Sequence, residues 1–101
     1  MAARVIYKAA AQAEIEEAFA AYEAERQGLG EDFLNEIARV EGHLKANPAL
    51  YQRVEGDIRR AVMRRFPYGV FYVADGDQVN VLGCLHLHRD PRSHAELLRR
   101  C

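Results

Sequence analysis

The stretch Gly56–His88, GDIRRAVMRRFPYGVFYVADGDQVNVLGCLHLH, decides the fold. Its apolar residues recur at a spacing near two, the period of an extended chain whose side chains alternate between faces. The part IRRAVMRRF (Ile58–Phe66) reads as one strand, with Ile58, Val62 and Phe66 alternating with Ala61 and Met63. Phe66-Pro67-Tyr68-Gly69 interrupts it, and VFYVA (Val70–Ala74) resumes as a second strand. Asp75-Gly76-Asp77 is a hairpin turn, because glycine supplies the positive φ that such turns use. QVNVLGCLHLH (Gln78–His88) completes the pair, with Val79, Val81, Leu85 and Leu87 on one side and Leu82, Cys84, His86 and His88 on the other. Both sides are apolar in the middle of this last run, so it is expected to be a central strand covered by other elements.

Working outward, the first half has a different period. RVIYK (Arg4–Lys8) reads as a short strand of β-branched and aromatic residues. From about Ala9 to Gln27 the spacing becomes helical: Ile15, Ala18, Phe19 and Tyr22 form a stripe, with Glu14, Glu16, Glu17, Glu23 and Glu25 on the other faces. Gly28-Leu29-Gly30 stops that helix. A second helix is expected from about Glu31 to Ala46, with Phe33, Ile37, Val40 and Leu44 as its stripe and Asn47-Pro48 as its end. The short link makes the two helices an antiparallel hairpin. The expected order is β-α-α-β-β-β, an α+β domain in which the hairpin packs on a mostly antiparallel sheet. Arg89-Asp90-Pro91 reads as a strand exit, and Arg92–Cys101 as a polar tail of a single domain spanning residues 1–101.

A chain of 101 residues, half of them hydrophobic and 29% charged, is long enough to bury one core and excludes a disordered tail or a collagen-like fibre. Two cysteines are too few for a disulfide scaffold. No apolar run approaches the roughly 18–20 residues of a membrane span, and the N-terminus lacks a secretory pattern. A cytoplasmic, membrane-free protein is expected. The net charge of −1 conceals a division: residues 1–52 hold five basic and nine acidic residues, whereas residues 53–101 hold nine arginines, six acids and no lysine. Arginine presents a planar fork of donors that grips carboxylate or phosphate in two places, so the second half points to an anion-facing surface.

The arginines Arg59, Arg60, Arg64 and Arg65 are the sharpest local feature. In a continuous strand Arg60 and Arg64 share one face and Arg59 and Arg65 the other. Isolated charges are too costly to bury, so each must meet solvent, a carboxylate of the acidic helices, or a partner. Tyr68 and Tyr72 are expected to add aromatic surface beside them, suited to base stacking and to protein interfaces alike. His86 and His88, at i and i+2, lie on one strand face. They can serve as acid or base near neutral pH, or simply bond backbone or a carboxylate; without a third spaced ligand, no metal site is expected. Phosphate-binding glycine loops, nucleophile elbows and zinc-protease helices are absent.

In order and spacing, Gly56–Arg60, Met63–Tyr68, Val70–Val73, Val79–His88 with Arg89-Asp90-Pro91, and the early Ala13–Glu17 helix resemble the RelE/ParE superfamily of bacterial type II toxins. The resemblance spans Val5 to about Ser93. It implies a small toxin encoded beside an antitoxin that binds and neutralises it, with no cofactor. Two activities occur in the family. RelE-like members are ribosome-dependent mRNA endonucleases, which here would draw on Arg60, Arg64, His86 and His88. ParE-like members poison DNA gyrase and are not known for a catalytic reaction. The chain looks more like ParE and the related plasmid-stabilisation proteins, because Gly69 falls about where several RelE-like nucleases carry a catalytic arginine, and the preceding strand has no lysine. A third reading is an antitoxin-binding module without toxicity. In the ParE-like reading, Arg59, Arg60, Arg64, Arg65, Tyr68, Tyr72 and Arg89 contact the antitoxin or the target.

Overall fold

The computed structural model describes residues 2–89 and 94–101. Its elements are β1 (Arg4–Tyr7), α1 (Ala9–Glu25), α2 (Leu29–Ala46), β2 (Arg53–Glu55), β3 (Ile58–Val62), β4 (Tyr68–Asp75), β5 (Gln78–His86) and α3 (His94–Leu98). The strands form one five-stranded sheet in the order β1-β5-β4-β3-β2. Only β1 against β5 is parallel; the other neighbours are antiparallel. The expected α+β architecture is therefore present, with β5 inside the sheet.

The helical hairpin forms because its link is built for it. Gly28 adopts φ 90°, a left-handed conformation that costs glycine little. The Glu23 carboxylate accepts the Gly28 and Gly30 N–H groups at 3.0–3.1 Å, satisfying donors at the start of α2. The second helix consequently begins at Leu29, two residues before the expected Glu31. Ala11, Ile15, Ala18, Phe33, Val40 and Leu44 pack on one sheet face against Val70, Tyr72, Val79, Val81 and Cys84. Burial of such side chains stabilises by about 1.5–3 kcal/mol for each large one.

Four expectations are corrected. First, β3 ends at Val62 rather than Phe66, so Arg64 and Arg65 lie in a turn instead of a strand. Val62 is 46% exposed while Ala61 and Met63 are buried, so the alternation places Ala61, not Val62, toward the helices. Second, the Phe71–Gly83 and Tyr72–Val81 pairings leave Leu82 as an extra residue in β5. A bulge of this kind reverses the parity of everything beyond it. Val79, Val81 and Cys84 thus face the helices, whereas Leu82 and Leu85 face outward and Leu87 packs beside them. Third, Arg53–Glu55 forms a short edge strand antiparallel to β3, an element additional to the expected β-α-α-β-β-β order.

Fourth, the segment expected to be a polar tail contains α3, whose Leu97 is fully buried against Ile58, Phe71, Leu82 and Leu85 on the outer sheet face. Glu14, expected on an exposed helix face, is drawn into the same region by Arg100 at 3.1 Å. The strand exit at Asp90-Pro91 and the first two tail positions, Arg92 and Ser93, lie outside the described residues.

Candidate functional site

The basic side chains do not form one strand-borne array. They are distributed by the turn that follows β3. Glu36, on α2, turns its carboxylate toward that turn: Oε1 accepts the backbone N–H of Arg64 at 3.0 Å and of Arg65 at 3.4 Å, and Oε2 accepts Arg39 Nε at 2.8 Å. The hydrogen bond from Arg39, against the opposing effect of burial and with help from the two backbone donors, holds the Glu36 carboxyl at about 2. A buried carboxylate with three donors is thus the internal anion around which the turn is wrapped. With its backbone held this way, the turn presents Arg64 to solvent and lays Arg65 beside Asp32, at 3.4 Å, and 5.7 Å from the Phe66 ring.

The same end of the sheet receives the end of β5. Leu87 N–H donates to the Pro67 carbonyl at 2.8 Å, pinning the two segments together. His86 Nδ1 accepts the backbone N–H groups of His88 and Arg89, each at 3.1 Å. A neutral His86 ring in this arrangement carries its proton on Nε2. Its ring meets Tyr68 edge-on at 5.2 Å, and Tyr68 joins Tyr22, Phe33 and Phe66 in an aromatic cluster. Burial raises the Tyr22 and Tyr68 hydroxyls, and the charge of Arg89 acts on both in the opposite sense. The rim therefore brings together Arg64, Arg65, Tyr68, His86, His88 and Arg89. Tyr22 belongs to it as well; its place in the α1 stripe marked it as core and concealed this.

The remaining candidates lie elsewhere. Arg59 Nη1 donates to the carbonyls of Ala49 and Tyr51, at 3.2 and 2.7 Å, and so ties down the segment after α2. Tyr72, expected as surface, is completely buried and donates its hydroxyl to the Pro48 carbonyl at 2.8 Å. Its hydroxyl ties the sheet to the chain just beyond the end of α2. Arg60 occupies the outer sheet face with its stem beside Gly69: a Cβ at Gly69 would lie 3.2 Å from Arg60 Cγ and 3.0 Å from Leu87 Cδ2. Strand alternation puts Arg60 on the opposite face from Tyr68 and its neighbour His86. The quartet Arg60, Arg64, His86 and His88 is therefore split between two faces and a turn. Among the described residues, the side chains of Arg60 and Arg64 make no hydrogen bond or ion pair within the chain.

Glu36 and the Glu14–Arg100 pair are the features that sequence reading missed. Glu14 reads as a residue of a helix exterior; Glu36, three residues from Phe33 and four from Val40, sits on the buried stripe, and that position is the available signal. No group of three or more His, Cys, Asp or Glu among the described residues is placed to hold a metal ion. No helix among them is long and apolar enough to cross a membrane.

No family model matches the chain, and no curated protein matches it. A solved structure does: a chain of the chromosomal ParDE TA system from P. aeruginosa superimposes with a TM-score of 0.70 at 16% identity, covering 85% of this chain and 97% of that one. At that identity the likeness concerns the backbone, and it agrees with the strand, helical hairpin and mostly antiparallel sheet described above. The chain has the RelE/ParE-like fold.

Proposed function

We propose that this chain is the toxin of a bacterial type II toxin–antitoxin pair, of the ParE-like kind, bound and neutralised by a cognate antitoxin and acting in the cytoplasm on DNA gyrase. The observation that carries the reading is the match over nearly the full length of a ParDE chain. The separation of Arg60 from His86 and His88 supports the ParE-like branch over an mRNA endonuclease, because general acid–base work on one phosphate needs its groups within hydrogen-bond reach of each other's substrate atoms. Gly69 agrees with it: this chain has no side chain at the position where several RelE-like nucleases carry an arginine, and a Cβ there would press on the side chains of Arg60 and Leu87. The whole chain acts as one domain in this reading, and Arg60, Arg64 and Arg89 are the cations that meet antitoxin or target carboxylates.

Expression without an antitoxin is expected to arrest growth. Purified protein added to gyrase and relaxed plasmid is expected to block supercoiling or to trap cleaved DNA. Cleavage of transcripts at codons during translation, lost in Arg64→Ala, would overturn the gyrase reading in favour of the nuclease. Normal growth together with tight antitoxin binding would leave the non-toxic binding module.

A further inference from the structure

The outer sheet face is covered by α3 around Leu97, which packs with Ile58, Phe71, Leu82 and Leu85. Toward the Asp75-Gly76-Asp77 turn the same face opens into a cavity of about 260 Å³. The fold explains why its walls carry charge. Val5 and Tyr7 pack toward the helices, so strand alternation turns Lys8 to the opposite face. The Lys8 N–H donates to the Val81 carbonyl at 2.9 Å, which sets its side chain beside Leu82. Across the sheet, Val73 pairs with Asn80 and Asp75 with Gln78, placing Val73 and Asp75 on that face two residues apart. The turn between β2 and β3 brings Asp57 to the same end.

The cavity therefore has a floor of Val73 and Leu82, donors on its β1–β5 side and carboxylates on its β3–β4 side. The donors are the Lys8 ammonium and the Asn80 amide. Gln78 Nε2 donates to Asn80 Oδ1 at 3.0 Å, so the oxygen of that amide is occupied and its N–H groups remain available. Among the described residues, Lys8, Asp57 and Asp75 make no hydrogen bond or ion pair within the chain through their side chains. Opposite charges thus stand across the cavity without neutralising one another. Two carboxylates are too few to cage a divalent ion, and no group of three or more His, Cys, Asp or Glu among the described residues is placed to do so.

We propose that this cavity binds a free basic amino acid: its carboxylate at Lys8 and Asn80, its methylene stem over Val73 and Leu82, its cationic groups at Asp57 and Asp75. The charges match. Two acids and one lysine give the site −1, and a ligand with one carboxylate and two cations carries +1. The volume lies at the small end of small-molecule sites and suits a ligand of this size better than a nucleotide. The inference is independent of the toxin reading, because Asp75 and Gln78 stand at the opposite end of β4 and β5 from Tyr68 and His86 of the basic rim.

The probe is L-arginine, titrated into the isotope-labelled full chain at constant ionic strength. Saturable shifts are expected at the Val73, Asn80 and Leu82 amides in the millimolar range. Agmatine, which lacks the carboxylate, and norvaline, which lacks the guanidinium, are each expected to bind about tenfold more weakly, the loss of one charge-assisted contact. Lys8→Met is expected to weaken arginine about tenfold and to leave agmatine unchanged. Asp75→Asn is expected to weaken arginine and agmatine alike and to leave norvaline unchanged. Neither side chain is buried or bonded, so both variants are expected to keep the melting temperature of the unaltered chain. Amides unmoved by millimolar arginine, or equal midpoints for arginine and either analogue, would overturn the proposal. Arginine binding that neither substitution weakens would overturn it as well.

Discussion

At the scale of single residues, Glu36 shows how a charge can serve the fold and the rim at once. Its carboxylate is buried, yet each oxygen has a donor, and the two backbone donors belong to the residues that carry the rim's arginines. Glu36→Ala removes the acceptor and leaves those N–H groups and Arg39 without it, at an expected cost of about 1–3 kcal/mol in denaturant unfolding. The carboxyl sits at about 2 in the folded chain against an ordinary 4.5, so its stabilisation is complete above 4.5 and is lost as pH falls toward 2. Glu36→Gln is expected to flatten that part of the acid-unfolding curve; an unchanged acid limb would show that the carboxylate is not held as described. The spacing of Glu36 from Phe33 and Val40 places it on the buried stripe, but its donors were not legible beforehand, because the turn after β3 that supplies two of them is brought to α2 only by the sheet. Phe33, Val40 and Leu44 were legible, since their spacing alone puts them on one stripe.

At the scale of elements, the two helices approach where Gly30 meets Phe19. A Cβ at Gly30 would stand 2.8 Å from the Phe19 carbonyl oxygen, a backbone atom that cannot swing aside. Gly30→Ala is therefore expected to destabilise by about 1–3 kcal/mol through forced separation of the hairpin. Gly42, later in the same helix, has nothing within 4 Å of its Cβ position. Gly42→Ala is expected to stabilise by about 0.5–1 kcal/mol, since alanine loses less backbone entropy in a helix. Opposite shifts in melting temperature check both, and a shared sign would contradict the packing described. The strands show why pattern reading falters at its ends. Period two identified β4 and β5, but one inserted residue at Leu82 sends Leu85 and Leu87 to the outer face, away from Val79 and Val81. No local sequence signal announces such an insertion, because it is stabilised by the neighbouring strand and by Glu14 and Arg100.

At the scale of the whole molecule, the charge division becomes a division of labour among arginines. Arg59 and Arg100 are held by internal acceptors, whereas Arg60 and Arg64 have none among the described residues. Arg59→Ala is expected to lower the melting temperature with little change in affinity for an antitoxin. Arg64→Glu combined with Arg89→Glu is expected to weaken that affinity by about tenfold, chiefly through slower association at low salt, with the melting temperature nearly unchanged. Surface plasmon resonance and calorimetry separate the two effects, and the reverse assignment would place the partner elsewhere. The amino-acid order by itself determined the strand, the helical hairpin and the antiparallel run, because hydrophobic period and glycine or proline punctuation are local properties of the chain. Only the tertiary structure decided which arginines are spent on internal bonds, that Tyr72 is core, and that the final residues strap the outer face. Those outcomes depend on which distant acceptor each polar group meets once the sheet has closed, and no local pattern encodes that.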